Sequence, residues 1–264
     1  MLWKNGGAHR LSGEKQGGDA KQVVVAGDDV YVVGYVINNN EMYIPTLWKN
    51  GNAMALEGTM YGFAESVFLS GGDVYVTGFA YEHVFPDLLF QKRAMLWKNG
   101  VLQYPQLTYN DLQTNAHSVF VSGNDIYVAG ERTVGSYFSG DIEISFATLW
   151  KNGVAMNIDA GDDSYANSVF VSGEDVYVAG WEFNQPMSCY DAKLWKNGVP
   201  QTLTGKYGGH ALSVVVAGDD VYVAGCEFYN RDHQHAIVWK NGVGQQVSSV
   251  HSESTAKSVF IKQN

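Results

Sequence analysis

The sequence predicts an all-β fold, a six-bladed β-propeller of four-stranded antiparallel blades, on three observations. The apolar runs are short, rich in Val, Tyr and Phe, and separated by glycine, which favours strands over helices. A motif, Ser-Val-Phe-Val-Ser-Gly-x-Asp-Val-Tyr-Val-Ala-Gly, recurs with variations. Between its copies Trp-Lys-Asn-Gly occurs six times, 44 to 53 residues apart, a period typical of propeller blades. Its tryptophans are Trp3, Trp48, Trp97, Trp150, Trp195 and Trp239.

The first two strands of each repeat form a predicted hairpin. In the copy that begins at Ser168, residues 168–172 and 175–180 are strand-like runs joined by the turn Gly173-Glu174. Both runs are apolar at consecutive positions, so we expect both of their faces to be covered, as in blades that pack face to face. These runs are therefore predicted to be the innermost and second strands.

The tryptophan motif supplies the third and fourth strands. After Trp195, the pair Asn197-Gly198 favours the positive φ angles of a two-residue hairpin turn. The next run, from Val199, is more polar and is predicted to be the outermost strand. A tryptophan repeated at one position predicts packing between blades rather than a ligand platform. The repeated lysines and aspartates at the turns predict ion pairs.

The repeats divide residues 1–264 into six blades of a single propeller domain. The predicted blades cover, approximately, residues 22–60, 65–110, 117–160, 167–205, 212–248, and 257–264 together with 1–14. The second-strand motif occurs only five times, so the sixth blade, shared by both termini, is predicted to lack one strand. A truncated N-terminus, strand donation from a neighbouring molecule and a different register for this blade are the alternatives. Because an unpaired strand edge is a template for another strand, self-association through this blade is one expectation.

The inner hairpin resembles that of a known group of propellers. Residues 123–129, Gly-Asn-Asp-Ile-Tyr-Val-Ala, are similar to the inner hairpin of NHL and TolB-like six-bladed propellers. The likeness covers the whole chain and concerns the fold. The chain is also similar to uncharacterised bacterial repeat proteins that carry Leu-Trp-Lys-Asn-Gly, a resemblance that implies no activity. The resemblance favours an extracytoplasmic location, which the sequence itself leaves unknown.

Composition excludes several classes of partner. A net charge of −10 and a pI near 5.0 argue against nucleic acid, whose phosphates require clustered Lys and Arg. No apolar stretch approaches the roughly 18 residues of a membrane span, and no export signal is visible after Met1. Cys189 and Cys226 lack the spacing of a metal or redox motif, and whether they pair is left open.

A local function is predicted at the end of each blade that carries the long connections. The other end carries only tight turns, whereas connections of 12 or more residues at this end differ in every blade. Equivalent positions just after the second strand and just before the inner strand hold unlike residues. The predicted ligand-binding residues are Tyr35, Phe79, His117, Glu131, Tyr165, Trp181 and His210.

These aromatic and polar groups predict non-catalytic binding of a carbohydrate or of a protein or peptide ligand. The alternative is a hydrolase or lactonase-like enzyme with a metal or carboxylate site in the axial channel. No nucleophile motif is present, so no catalytic residue, metal ligand or cofactor is assigned. The pair His233-x-His235 lacks a third fixed ligand, and residues 159–164 lack the full spacing of a calcium loop.

Overall fold

The computed structural model describes nine stretches of the chain. They are residues 1–13, 17–59, 61–84, 89–103, 113–135, 143–158, 163–230, 233–249 and 253–261. Two compact units are present, the first made of residues 1–128 with 152–154 and the second of residues 129–151 with 155–264. Within the described stretches, no helix is long and apolar enough to cross a membrane.

Within these stretches, the strands form one two-stranded sheet and five four-stranded antiparallel sheets, each in sequence order. The N-terminal sheet contains β1 (Leu2–Lys4) and β2 (Gly7–His9). The first four-stranded sheet contains β3 (Gly18–Ala26), β4 (Asp29–Ile37), β5 (Tyr43–Lys49) and β6 (Asn52–Ala55). The second contains β7 (Gly62–Ser70), β8 (Asp73–Val84), β9 (Leu89–Lys98) and β10 (Val101–Gln103).

The third four-stranded sheet contains β11 (Gln113–Ser122), β12 (Asp125–Val134), β13 (Ile144–Lys151) and β14 (Val154–Asn157). The fourth contains β15 (Ser164–Ser172), β16 (Asp175–Asn184), β17 (Cys189–Lys196) and β18 (Val199–Thr202). The fifth contains β19 (Gly209–Ala217), β20 (Asp220–Phe228), β21 (Gln234–Lys240) and β22 (Val243–Gln246).

This sheet content confirms the predicted fold class. The protein is all-β, and five full sheets plus a two-stranded N-terminal sheet are consistent with a six-bladed propeller. The asparagine and glycine of each Asn-Gly turn have the positive φ angles expected of the two-residue hairpin, as at Asn197 (53°) and Gly198 (79°). Residues 253–261 contain no assigned strand, so a blade shared by both termini stays a prediction.

The repeated tryptophans form the core, with one exception. Trp48, Trp97, Trp150, Trp195 and Trp239 are each at most 2% exposed, which confirms their predicted packing role. The indole N–H of Trp48 also donates a 2.8 Å hydrogen bond to the Leu11 carbonyl oxygen. The prediction is wrong for Trp3, whose side chain is 66% exposed. Among the described residues, its strand β1 has a sheet partner on one side only, and no paired second strand covers the indole there.

In four of the five described inner strands, one side chain bonds to the next inner-strand segment along the chain. The accepting oxygen belongs to a serine or glutamine, and the donor is the backbone N–H of a valine. The pairs and their N···O distances are Gln22 and Val67 (2.6 Å), Ser66 and Val119 (3.3 Å), Ser168 and Val214 (3.2 Å), and Ser213 and Val259 (3.3 Å). Residues 253–261 therefore include a valine that makes the inner-strand contact with the fifth sheet.

A β-bulge lies just before each of these accepting residues. In four sheets the pairing of the inner and second strands shifts by one residue, which leaves Lys21, Glu65, Asn167 or Leu212 as the extra residue. The shift presses the inner strand against a glycine of the second strand. A Cβ atom at Gly180 would collide with the carbonyl oxygen of Tyr165. The glycine that ends each Val-Tyr-Val-Ala-Gly motif is thus required by the bulge.

Candidate functional site

The end of each sheet that carries the tight turns has a repeated set of contacts, which we call the turn clamp. In the fourth sheet, Asn197 accepts a 2.8 Å hydrogen bond from the Val176 N–H through Oδ1 and donates a 2.7 Å bond to Asp175 through Nδ2. The ammonium group of Lys196 lies 2.7 Å from the other oxygen of Asp175. The predicted lysine–aspartate pairing is confirmed here and in three further sheets, at Lys49, Lys98 and Lys240.

The turn clamp shifts the ionisation of its carboxylates. Hydrogen bonding to the lysine, with a second bond from the asparagine, lowers the pKa of the aspartate in four sheets: Asp29, Asp73, Asp175 and Asp220. These groups are solvent-exposed and identical from sheet to sheet, so their chemistry fastens hairpins and offers no distinct binding site.

At the opposite end of the first unit, two predicted site residues belong to one aromatic cluster. The ring centroids of Tyr35 and Phe63 lie 4.9 Å apart, and Phe63 stacks on Phe79 at the same distance. The Lys92 ammonium group lies 4.8 Å from the centre of the Phe79 ring. Tyr43 also contacts Tyr35, at 5.1 Å. Tyr35 and Phe79 are therefore brought together through Phe63.

The third predicted residue of this unit, His117, is equivalent in sequence to a bulged residue of the second sheet. It occupies the position between Ala116 and Ser118 that matches Glu65 in the second sheet. Burial raises the pKa of the half-buried Glu65 carboxyl, and the nearby Lys21 and His117 oppose that shift. The inner strands of this unit thus present a cation, a carboxyl group and an imidazole that interact electrostatically.

In the second unit, three predicted site residues form part of a continuous group of rings. Trp181 stacks on Tyr165, with centroids 3.9 Å apart and planes at 25°. The His210 ring lies 5.3 Å from Trp181 and is tilted against it, and Tyr190 meets Trp181 edge-on at 4.6 Å. Phe183 extends the group through Tyr190, at 5.1 Å. We call these five half-buried rings the Trp181 group.

Burial and one hydrogen bond set the ionisation of the Trp181 group. Burial, strengthened by a 3.0 Å hydrogen bond from its hydroxyl to Asp163, raises the pKa of Tyr190 to about 12. Burial, with a smaller contribution from Lys257, lowers the pKa of His210, so the imidazole is neutral at pH 7. Glu131, the remaining predicted residue, is buried, and its charge acts on Tyr165.

An open cavity of about 340 Å³ lies beside the Trp181 group. Phe183 lines the cavity together with Glu182, Asn184, Gln185, Pro186, Asp191 and Lys193. The Lys193 ammonium group lies 2.7 Å from the Glu182 carboxylate, and Asn184 donates a 2.8 Å hydrogen bond to Asp191. The cavity is thus lined mainly by polar and charged side chains, and it touches the Trp181 group through Phe183.

Comparison of the repeats within the sequence did not identify Tyr190 and Phe63, whose rings connect the predicted residues. Tyr190 lies five residues before Trp195, and Tyr43 holds the same place before Trp48. Counting back from the repeated tryptophan would therefore have located this position at the start of the third strand. Phe63 occupies a position that differs from repeat to repeat, and sequence alone does not show which rings of neighbouring strands meet.

The structure adds no support for a disulfide, a histidine metal site or a calcium loop in the described residues. Cys189 and Cys226 are free thiols. His233 and His235 flank the ring of Tyr229, at 5.6 and 5.9 Å, and in the described chain no three His, Cys, Asp or Glu side chains converge to hold a metal. Residues 159–162 of the calcium-like segment lie outside the described residues.

Comparisons with known proteins give the fold and no family. No protein-family profile matches the chain, and no curated protein matches it. It is similar to a puromycin-hydrolysing peptidase of Mycobacterium tuberculosis, with a TM-score of 0.53 and 12% identity over 88% of this chain and 39% of the peptidase. The chain thus spans well under half of that protein. At this identity the likeness shows a shared fold alone.

Two further solved structures are less similar. The Bombyx mori GH32 β-fructofuranosidase BmSUC1 has a TM-score of 0.43 and 9% identity, over 83% of this chain and 60% of that one. YjhT has a TM-score of 0.44 and 13% identity, over 86% of this chain and 83% of that one. Neither similarity assigns an activity to this protein.

Proposed function

We propose that the protein is a non-catalytic, NHL-like binding propeller whose ligand is a carbohydrate held by the Trp181 group. The carrying observation is the group of five half-buried rings, one of which, Phe183, also lines a polar cavity. A sugar ring has apolar C–H faces that pack on aromatic rings and hydroxyls at its edge that need hydrogen-bond partners. Sites with an apolar wall and a few placed polar groups are the usual form of a small-ligand site.

The polar wall of the cavity favours a neutral sugar over an anionic ligand. Asp191 accepts hydrogen bonds only, whereas the side-chain amides of Asn184 and Gln185 both donate and accept. Sugar hydroxyls can satisfy both kinds of group. Glu182 is paired with Lys193, and the whole protein carries a net charge of −10, so negative ligands are repelled.

In the second unit, the proposal includes Glu131 as a polar contact. Tyr35, Phe79 and His117 are proposed ligand contacts of the first unit, considered by itself. The sequence also leaves open a peptide ligand and a hydrolase or lactonase-like enzyme, and both stay hypotheses. The raised pKa of Glu65 is a property that a general acid would use, and it is the observation that bears on the enzyme alternative.

Screening immobilised neutral glycans, followed by calorimetric titration of the best oligosaccharide, tests the proposal. Replacing Trp181 or Phe183 with alanine should weaken binding about tenfold or more, since an aromatic contact contributes on the order of 1 kcal/mol. Tyr207→Ala is the matched control, because this tyrosine is 40% exposed and lies outside the Trp181 group. Glycan affinity that is unchanged by Trp181→Ala, or binding of peptides alone, would contradict the proposal.

A further inference from the structure

The N-terminal sheet has an open edge where the other sheets have a second strand. In the described residues, β1 pairs with β2 alone. In the fourth sheet the equivalent strand, β17, also pairs with β16 in the register Tyr177↔Lys196, Val178↔Trp195 and Ala179↔Leu194. The first, second and fifth sheets repeat this register. The second strands of the other sheets therefore show which sequence, in which register, would pair with the backbone groups on the open side of β1.

Apolar surface is exposed beside this edge. Val23 and Val25 of β3 are 50% and 64% exposed, whereas their equivalents in the fifth sheet, Val214 and Val216, are 5% and 6% exposed. Those two valines are covered in a cluster that contains Tyr177 and Ala179, both from the second strand of the preceding sheet. In the part of the chain that the structure describes, no second strand of a preceding sheet covers the same two positions of the first sheet. A cavity of about 250 Å³ lies at this place, and Trp3, Leu11, Ala20 and Trp48 are among its lining residues.

The polar half of a turn clamp is also present at this edge. Lys4 and Asn5 repeat the lysine and asparagine of the other five turns, and Asn5 has the same φ of 51° as Asn50. Elsewhere this pair holds the aspartate that begins the second strand. Lys4 and the Asn5 amide nitrogen can therefore donate to an aspartate carboxylate, and the Asn5 amide oxygen can accept from the N–H group that follows that aspartate.

We propose that the edge of β1 binds an extended segment of a separate polypeptide with the pattern Asp-Val-Tyr-Val-Ala-Gly. The segment adds antiparallel to β1, with its tyrosine opposite Lys4 and its second valine opposite Trp3. Its aspartate bonds to Lys4 and Asn5. Its tyrosine and alanine cover Val23 and Val25, as Tyr177 and Ala179 cover their equivalents.

A second copy of this chain does not offer this occupant. Its own second strands, β4, β8, β12, β16 and β20, are already paired on both sides within their sheets. Pairing β1 with β1 of another copy would supply no carboxylate, because the strand reads Leu2-Trp3-Lys4. Val23, Val25 and Lys4 thus favour a strand from another polypeptide that begins with an acidic residue and continues with apolar residues.

The probe is a capped synthetic peptide with the sequence of residues 173–180, added to the 264-residue protein. We expect saturable binding by calorimetry, together with a blue shift of tryptophan emission as Trp3 leaves water. Val25→Lys should weaken binding about tenfold or more without lowering the thermal midpoint of the free protein, because this side chain is exposed. The matched control is Val243→Lys, at a 73% exposed valine of β22, and it should bind normally.

Peptide variants distinguish binding in the proposed register from nonspecific binding. Replacing the aspartate with lysine, or the tyrosine with serine, should weaken binding about tenfold or more, and a scrambled peptide should not bind. Equal binding of the scrambled peptide, or no binding at about 1 mM peptide, would overturn the proposal. So would a dimer of the free protein that Val25→Lys dissociates, since a second copy would then occupy the edge.

Discussion

The asparagine of the turn clamp combines two roles at one residue. Asn197 adopts a left-handed backbone angle that asparagine tolerates well, and its side chain joins two strands by accepting from Val176 and donating to Asp175. Asn5 has nearly the same angle, 51° against 53°, but no aspartate opposite it within the described residues. The two positions therefore separate the backbone contribution of asparagine from the contribution of its side-chain bonds.

We expect Asn197→Ala to lower the free energy of unfolding by about 1 to 3 kcal/mol, because it removes two hydrogen bonds and places alanine at positive φ. Asn5→Ala changes only the backbone preference and should cost about 1 kcal/mol or less. Urea denaturation of the two variants measures the difference. Equal losses would show that the side-chain bonds contribute nothing.

Residue identity in the core was largely predictable from the repeat. A tryptophan that recurs at one position on the third strand is correctly assigned to packing in five cases, and positive φ is correctly assigned to the Asn-Gly turns. Trp3 has the same sequence signature but lies exposed. Burial depends on what the neighbouring strand supplies, and the residues around Trp3 alone do not carry that information.

At the scale of the element, the β-bulge explains why the facing residue of the second strand is always glycine and why the extra residue of the inner strand varies. The sequence motif Ala-x-Ser within the inner strand looks like regular strand, yet its middle residue is the one that the pairing skips in the second, fourth and fifth sheets. The skipped residue does not follow strict strand alternation. The predicted site therefore included His117 at this position and left out Glu65, whose importance depends on a bulge that no local propensity specifies.

Gly180→Ala should lower the free energy of unfolding by about 1 to 3 kcal/mol or more, because the added Cβ would collide with the Tyr165 carbonyl oxygen and approach the Trp195 ring at 3.0 Å. Gly205→Ala is the control, since the nearest atom to its added Cβ is a Glu227 oxygen 3.6 Å away. Thermal unfolding followed by circular dichroism compares them. A Gly180→Ala variant as stable as Gly205→Ala would show that the strands can separate without cost.

Across the whole molecule, the turn clamps make stability depend on pH. Their aspartates have lowered pKa values, so the stabilisation is complete above the unfolded value of about 4 and is lost as the pH falls below it. Replacing Asp29, Asp175 and Asp220 with asparagine should therefore reduce the loss of stability between about pH 5 and about pH 2.

The matched control for this experiment changes the carboxylate one position earlier in the same three turns, as Asp28→Asn, Glu174→Gln and Asp219→Asn. Both variants lose the same charge, so a difference between their urea midpoints across the pH series reports the clamps rather than net charge. The difference should shrink at about 0.5 M salt, since the pairs are exposed and screened. Parallel pH profiles of the two variants would contradict this account.

The four described bulges tolerate a cation, an anion, an amide and an aliphatic side chain: Lys21, Glu65, Asn167 and Leu212. The residues around each bulge make the contacts that hold the two strands together. The bulged residue itself can therefore differ without disturbing the strands. Natural or engineered substitutions can therefore change the bulged residues singly while the fold is kept. New binding preferences can then arise through single substitutions, without any new loop.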